Sequence, residues 1–104
     1  MKVTKTSISK LNTIDFSKLP FGTVFSDHML ICNYKDGKWN EAEILPYGPI
    51  PMPPGAQVLH YGQSVFEGMK AFKNNSNEIL LFRKEENFKR LNQSAERLSI
   101  PVIE

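Results

Sequence analysis

The sequence has no long hydrophobic run and only one cysteine. Its apolar stretch at residues 79–82, ILLF, is far shorter than the roughly 20 residues of a membrane-spanning helix, so no membrane partner is expected. The basic N-terminus continues into polar residues and does not resemble a secretory signal. The single Cys32 excludes an internal disulfide and favours a reducing, cytoplasmic location. Cys32 follows Ile31 in a strand-like run, and we expect it to be a buried structural residue.

An excess of one charge is also missing. The 13 basic and 11 acidic residues give a net charge of +2 and are interspersed, which argues against nucleic acid as the main ligand and leaves an acidic small molecule open. Glycine-rich phosphate-loop spacings are absent as well. His28 and Cys32 are four apart in a strand-like pattern with no second pair, so neither a metal site nor a cysteine nucleophile is predicted.

The length of 104 residues fits one small domain or one part of a larger protein. A domain of this size removes only about 60–70% of its unfolded surface from water. A deep, enclosed site would therefore have to be shared with a partner.

The order of patterns along the chain predicts an α+β fold in which an antiparallel sheet packs against one or two helices. Residues 1–20 are polar with no sustained period and predict a loosely held arm, which leaves 21–104 as the domain. Residues 28–34 and 38–45 predict a β-hairpin that turns at Asp36-Gly37. A second hairpin is predicted around the polar residues 74–77, and a helix over 84–98 that presents Phe88, Leu91, Ala95 and Leu98 on one face and stops at Pro101.

Residues 46–55 contain five of the seven prolines and form a stiff connector. Two interpretations are open, a linker between domains or a loop along the surface of one domain. The short chain favours the surface loop.

Two places in the sequence are candidates for ligand binding. Strand alternation through residues 59–72 would put Phe66, Gly68 and Lys70 on one face, so that an aromatic ring, a bare backbone and a cation point at one ligand. The alternative is a core phenylalanine, a bulge and a solvated lysine. Arg90 lies at the edge of the apolar helix face, where it could bind an anion such as phosphate or extend into water.

These residues resemble a known family. The block HYGQSVFEGMKAFK, then LLFR and NFKRLNQSAERLSIP, resembles the N-terminal part of branched-chain amino acid aminotransferases, which are fold type IV pyridoxal-phosphate enzymes. The preceding FGTVFSDHMLICNYKDGKW and PYGPIPMPPGAQVLHYG extend the similarity over about residues 21–104. The resemblance implies the small N-terminal domain of such an enzyme.

The resemblance also implies roles for individual residues. Arg90 would bind the phosphate of pyridoxal 5'-phosphate, and Phe66 would line the pocket for the branched side chain. Gly68 would let the substrate pass close to the backbone, with Glu67 and Lys70 at the pocket's edge. Tyr61 would reach across a homodimer interface into the partner subunit's site.

No catalytic residue is expected in this chain, since in the family the lysine that bonds to the cofactor aldehyde and the acid at the pyridine nitrogen come from a second domain. The implied reaction moves the amino group of leucine, isoleucine or valine to 2-oxoglutarate, with the isolated chain inactive. The alternatives are a D-amino acid aminotransferase or aminodeoxychorismate lyase of the same fold type, or a non-catalytic binding module. The sequence motif FEGMKAF favours the branched-chain enzyme.

Overall fold

The computed structural model describes residues 1–103, which fall into two compact units divided between Pro51 and Met52. The predicted α+β class is confirmed, and the strands are distributed over three small sheets. The elements are β1 (Lys2–Val3), a 3-10 helix (Leu11–Thr13), β2 (His28–Ile31), β3 (Tyr34–Lys35), β4 (Lys38–Trp39), β5 (Glu43–Pro46), α1 (Gln57–Tyr61), β6 (Ala71–Lys73), β7 (Ile79–Leu81) and α2 (Lys84–Arg97).

The first unit is built on the predicted hairpin. β2 pairs antiparallel with β5, and the shorter β3–β4 pair carries the hairpin to its tip. At that tip Asp36 and Gly37 have φ of 54° and 78°, the positive values that a tight type I′ turn requires at both positions. The Asp-Gly turn predicted from the sequence is therefore confirmed.

The N-terminal residues are hydrogen-bonded to this hairpin. β1 adds to the free edge of β5 as a parallel strand, and the backbone N–H of Thr6 donates to Nε2 of His28 at 3.0 Å. The carboxylate of Asp27 accepts from Ser9 Oγ and from the N–H of Lys10. The sequence did not predict this order because a two-residue strand sets no period. The domain boundary at residue 20 stays a prediction.

Cys32 is half-buried, so the expectation of a fully buried cysteine was wrong. It lies between β2 and β3, where the strand pairing is interrupted, and its Sγ donates to the carbonyl of Asn40 at 3.1 Å. A residue outside the ladder is covered from fewer directions than one within it. Its thiol is therefore satisfied by a local carbonyl rather than by apolar packing.

In the second unit the predicted strand through residues 66–70 is wrong. The short helix α1 ends at Gly62 in the left-handed conformation, with φ of 61°, and residues 62–70 have no regular secondary structure until β6 begins at Ala71. Alternation of Phe66, Gly68 and Lys70 therefore does not place them on a strand face. The side-chain pattern is strand-like, but no strand within residues 1–103 pairs with this segment.

The second predicted hairpin is confirmed, with β6 and β7 antiparallel. Its turn is organised by Asn74, whose Oδ1 accepts from the N–H groups of Ser76 and Glu78 at 2.9 Å each. Asn77 takes the left-handed conformation with φ of 63°. Asparagine tolerates that conformation and bonds its own local backbone, which explains why the polar tetrad forms a turn.

The predicted helix is confirmed as α2, but its apolar face is only partly covered. Within residues 1–103 Ala95 is the one buried side chain, at 3% exposure. Leu91 is half-buried, whereas Phe88 and Leu98 are 49% and 41% exposed. The helix therefore presents an apolar stripe that this unit does not itself cover.

Helix α2 ends at Arg97 rather than at Pro101. The N–H of Ile100 donates to the carbonyl of Ala95 at 2.9 Å, and the N–H of Ser99 donates to that of Glu96 at 3.1 Å. This pair of bonds is a Schellman motif, which requires a left-handed residue at the position of Ser99. Ser99 has φ of 54°, so the helix ends before it, at Arg97, four residues before the proline.

Replacing Ser99 by glycine should stabilise this helix end, because a residue with a Cβ carries a cost of roughly 1–2 kcal/mol in the left-handed conformation. The expected result is slower hydrogen exchange of the amides at 98–100, equivalent to about 1 kcal/mol. The matched control is Ser94→Gly within the same helix, which should speed exchange by a similar amount. Faster exchange in the Ser99→Gly variant would contradict the assigned cap.

The proline-rich connector contains the division between the two units, which falls between Pro51 and Met52. The choice between a linker and a surface loop stays a prediction. Proline removes backbone donors and restricts φ, so few hydrogen bonds tie such a segment to either side. Among residues 1–103, neither helix has the length and apolar character needed to cross a membrane.

Candidate functional site

The most connected polar side chain of the second unit is that of Glu67. Its Oε2 accepts from Nε of Arg90 at 2.5 Å, and its Oε1 accepts from Nη2 of the same guanidinium. Oε1 also accepts from the N–H of Gly68 at 2.9 Å and from Nδ2 of Asn87 at 3.1 Å. The carboxylate thus receives four hydrogen bonds, two of them from the arginine's planar fork.

Local structure explains how these groups meet. Asn87 and Arg90 are three residues apart on α2 and so project from the same side of the helix. The irregular backbone at residues 62–70 brings Glu67 to that side. Asn87 Nδ2 also donates to the carbonyl of Gly68 at 2.9 Å, which ties both the side chain of Glu67 and the following peptide to the helix.

The two charged partners differ in exposure. The side chain of Glu67 is 10% exposed and that of Arg90 is 67% exposed. The hydrogen bonds from Arg90, Asn87 and the Gly68 N–H lower the pKa of Glu67 to about 2, and the carboxylate in turn raises the pKa of Arg90. Glu67 is therefore ionised across the physiological pH range.

The pKa of Glu67 leads to a testable pH dependence. Because its pKa is lower in the folded chain than in an unfolded one, the pair stabilises the fold fully above about pH 4.5, and this contribution is lost as the pH falls toward 2. In a carbon NMR titration of the whole protein, the Glu67 carboxyl should change its shift near pH 2. Asn87→Ala should raise this midpoint modestly and Arg90→Ala should raise it more. A midpoint near 4 in the unsubstituted chain would contradict the pairing.

Arg90 retains donors for a further ligand. A guanidinium has five N–H groups, and Glu67 accepts from Nε and from one N–H of Nη2, which leaves three on the two terminal nitrogens. Two open depressions flank this end of the side chain. One is lined by Gln93, Ser94, Glu96 and Arg97 together with Arg90, and the other by Phe82, Arg83, Glu86 and Asn87 together with Arg90.

The donor set matches a phosphate group. The terminal N–H groups of an arginine form parallel hydrogen bonds with two phosphate oxygens. Each depression also contains a second arginine and one glutamate, Arg97 with Glu96 in the first and Arg83 with Glu86 in the second. The residues present therefore fit the anion-binding role that the sequence resemblance implies for Arg90.

The other predicted site residues are on the surface of the same unit. Phe66 is 88% exposed and Tyr61 is 82% exposed, and Gly68 and Lys70 are exposed as well. The Phe66 ring lies over Gly68, since its Cζ would be 3.7 Å from a Cβ added there. Among residues 1–103, Tyr61 and Lys70 make no hydrogen bond to the Glu67 cluster. Their roles stay predictions.

Asn87 is the residue of this cluster that sequence reasoning missed. It precedes Phe88 at the start of α2 and looks like an ordinary polar surface residue. Asn87 lies three residues before Arg90, and this spacing predicts that the two side chains share one side of the helix. The sequence contained no sign that Glu67 would meet that side, so the spacing alone could not identify its role.

Comparison with known proteins shows which class of proteins this chain is similar to. No family model matches the chain. Curated proteins do match it, and their names are those of aminotransferases acting on branched-chain amino acids, the class that the sequence motifs resemble. The resemblance is therefore confirmed at the level of homology.

The individual matches are high in identity. "Branched-chain-amino-acid aminotransferase 2" of Bacillus subtilis is 50% identical over 91 residues, which are 86% of this chain and 25% of the relative. The "Probable branched-chain-amino-acid aminotransferase" of Staphylococcus aureus strain N315 is 54% identical over 89 residues, 85% of this chain and 25% of the relative. "Branched-chain-amino-acid aminotransferase" of Mycolicibacterium smegmatis is 49% identical over 84 residues, which are 80% of this chain and 23% of the relative. The chain thus spans about a quarter of the length of these relatives.

Proposed function

We propose that this chain is the small N-terminal domain of a pyridoxal-phosphate-dependent branched-chain amino acid aminotransferase. The whole enzyme would transfer the amino group of leucine, isoleucine or valine to 2-oxoglutarate. The observation that carries this proposal is the identity of 45–54% with aminotransferases of that name over about 85% of the chain. The same names favour this activity over a D-amino acid aminotransferase or an aminodeoxychorismate lyase.

Within this proposal the chain supplies binding groups rather than the reacting amine. Arg90 holds the cofactor phosphate through the terminal N–H groups that Glu67 leaves free. Phe66 provides an apolar surface for a branched side chain, and Gly68 beside it leaves the backbone open. Bound pyridoxal phosphate supplies an electron sink that stabilises charge at the substrate's α-carbon.

The exposed position of Tyr61 supports a further part of the proposal. An aromatic side chain that its own unit leaves uncovered is suited to an interface, since aromatic residues are enriched there. We assign Tyr61 and Lys70 to the edge of the substrate pocket, with Tyr61 contributing to the partner subunit's site in a homodimer. The proposed location is the cytoplasm.

A chimera tests the function directly. This chain would replace the matching segment of the Bacillus subtilis aminotransferase 2, and the purified protein would be assayed with leucine, isoleucine and valine against 2-oxoglutarate. We expect activity with all three and none with D-alanine, which serves as the control substrate. A chimera that shows the absorbance of bound cofactor but transaminates none of the three would contradict the proposed substrate class.

The gene itself provides a second test. A reading frame that continues beyond codon 104 into a domain with a cofactor-binding lysine is the expected result. A frame that ends there would favour the non-catalytic module.

A further inference from the structure

We propose that Glu67 and Asn87 are positioning residues that hold the Arg90 guanidinium in one orientation and leave its terminal N–H groups to bind the cofactor phosphate. This inference rests on the proposed function of Arg90. It adds two residues that neither contact the phosphate nor take part in the chemistry. Its basis is the geometry of the Glu67 cluster.

The first argument concerns which side of the guanidinium is used. Glu67 accepts from Nε and Nη2, which form the lateral edge of the guanidinium. The opposite pair, formed by Nη1 and the second N–H of Nη2, stays available and has the spacing of two phosphate oxygens. The carboxylate and a phosphate can therefore bind the same arginine simultaneously.

The second argument concerns the mobility of Arg90. Its side chain is 67% exposed, and an exposed arginine in water populates many rotamers. Binding an anion would require one of these to be selected, which weakens affinity. The two-point contact with Glu67 selects it in advance.

The third argument concerns what holds Glu67 itself. Asn87 donates from one nitrogen to both Glu67 Oε1 and the Gly68 carbonyl, and the Gly68 N–H adds a bond to the same carboxylate. The side chain of Glu67 is consequently only 10% exposed. Asn87 thus fixes the position of Glu67, and Glu67 fixes the position of Arg90.

The test measures the binding of two ligands by the cofactor-free whole enzyme, which is either the product of the complete gene or the chimera. Pyridoxal 5'-phosphate and pyridoxal share the ring and aldehyde but differ in the phosphate. The dissociation constant of pyridoxal divided by that of pyridoxal 5'-phosphate therefore reports the phosphate contact alone. Glu67→Gln should reduce this ratio about tenfold, within the 10–100-fold range seen when a group that orients a ligating residue is removed. Asn87→Ala should reduce it by a smaller factor.

Controls separate positioning from general damage. Glu85→Gln removes the same charge from the exposed first turn of α2 and should leave the ratio unchanged. Glu67→Asp keeps the charge and should retain part of the ratio. In an Arg90→Ala background, Glu67→Gln should have no further effect on the ratio, as expected for two residues acting in series.

Each other outcome has a defined meaning. Equal loss of affinity for pyridoxal and its phosphate in Glu67→Gln and Asn87→Ala would overturn the inference and assign these residues a structural role. Tighter phosphate binding in Glu67→Gln would also overturn it, because the carboxylate would then compete with the phosphate. If the unsubstituted protein does not prefer pyridoxal 5'-phosphate over pyridoxal, the proposed function of Arg90 itself fails.

Discussion

Arg90→Ala should weaken the affinity of the apoenzyme for pyridoxal 5'-phosphate about 100-fold, while leaving pyridoxal affinity nearly unchanged. The substitution removes the N–H groups available to a phosphate and leaves the carboxylate of Glu67 with donors from Asn87 and Gly68 only. Fluorescence titration of the apoenzyme measures both constants. This effect is expected to be larger than that of Glu67→Gln, because the binding group itself is lost.

The matched control for this experiment is Lys89→Ala. It removes one positive charge at the neighbouring position of α2, which tests whether net charge alone attracts the anion. Its expected effect is less than about twofold, since an exposed charge in water is strongly screened. Unchanged phosphate affinity in Arg90→Ala would remove this residue from the cofactor site.

The isolated chain of 104 residues should show no transamination of leucine with added pyridoxal phosphate, and it should unfold without a sharp thermal transition. The physical reason is its uncovered apolar surface. Its accessible surface is 9343 Å², whereas two separate compact units of half its 11.9 kDa mass would expose about 7,200 Å² in total. Burial of apolar surface is the main term that stabilises a fold.

Calorimetry and binding of a hydrophobic dye check this expectation. We expect a broad transition and strong dye fluorescence for the isolated chain, and neither for the same residues within the chimera. Exposed apolar side chains cluster in the second hairpin, where Phe72, Ile79, Leu80, Leu81 and Phe82 are all 44–76% exposed. A cooperative transition without dye binding, or activity of the isolated chain, would contradict the prediction.

The parts of the fold that the sequence predicted correctly depend on local chemistry. Asp36-Gly37 and the turn at Asn74 are set by residues that tolerate positive φ or bond their own backbone. Helix α2 follows from the spacing of Phe88, Leu91 and Ala95. These signals act over a few residues and need no information about the rest of the chain.

The errors have a common physical origin. Helix α1 has five residues, too few to show a helical period, and the alternation of Phe66, Gly68 and Lys70 after it predicts a strand that does not form. Strand formation needs a partner, and none of the described strands pairs with that segment. Likewise Cys32 is half-buried because the ladder is interrupted beside it.

The sequence by itself determined the α+β fold class, the two turns, the long helix and Arg90 as an anion-binding candidate. These features depend on residue identity and on spacings within one element. Only the tertiary structure decided that Glu67, 23 residues earlier in the chain, meets Asn87 and Arg90. That contact depends on the path of an irregular segment with no period of its own, and so no pattern in the sequence could specify it.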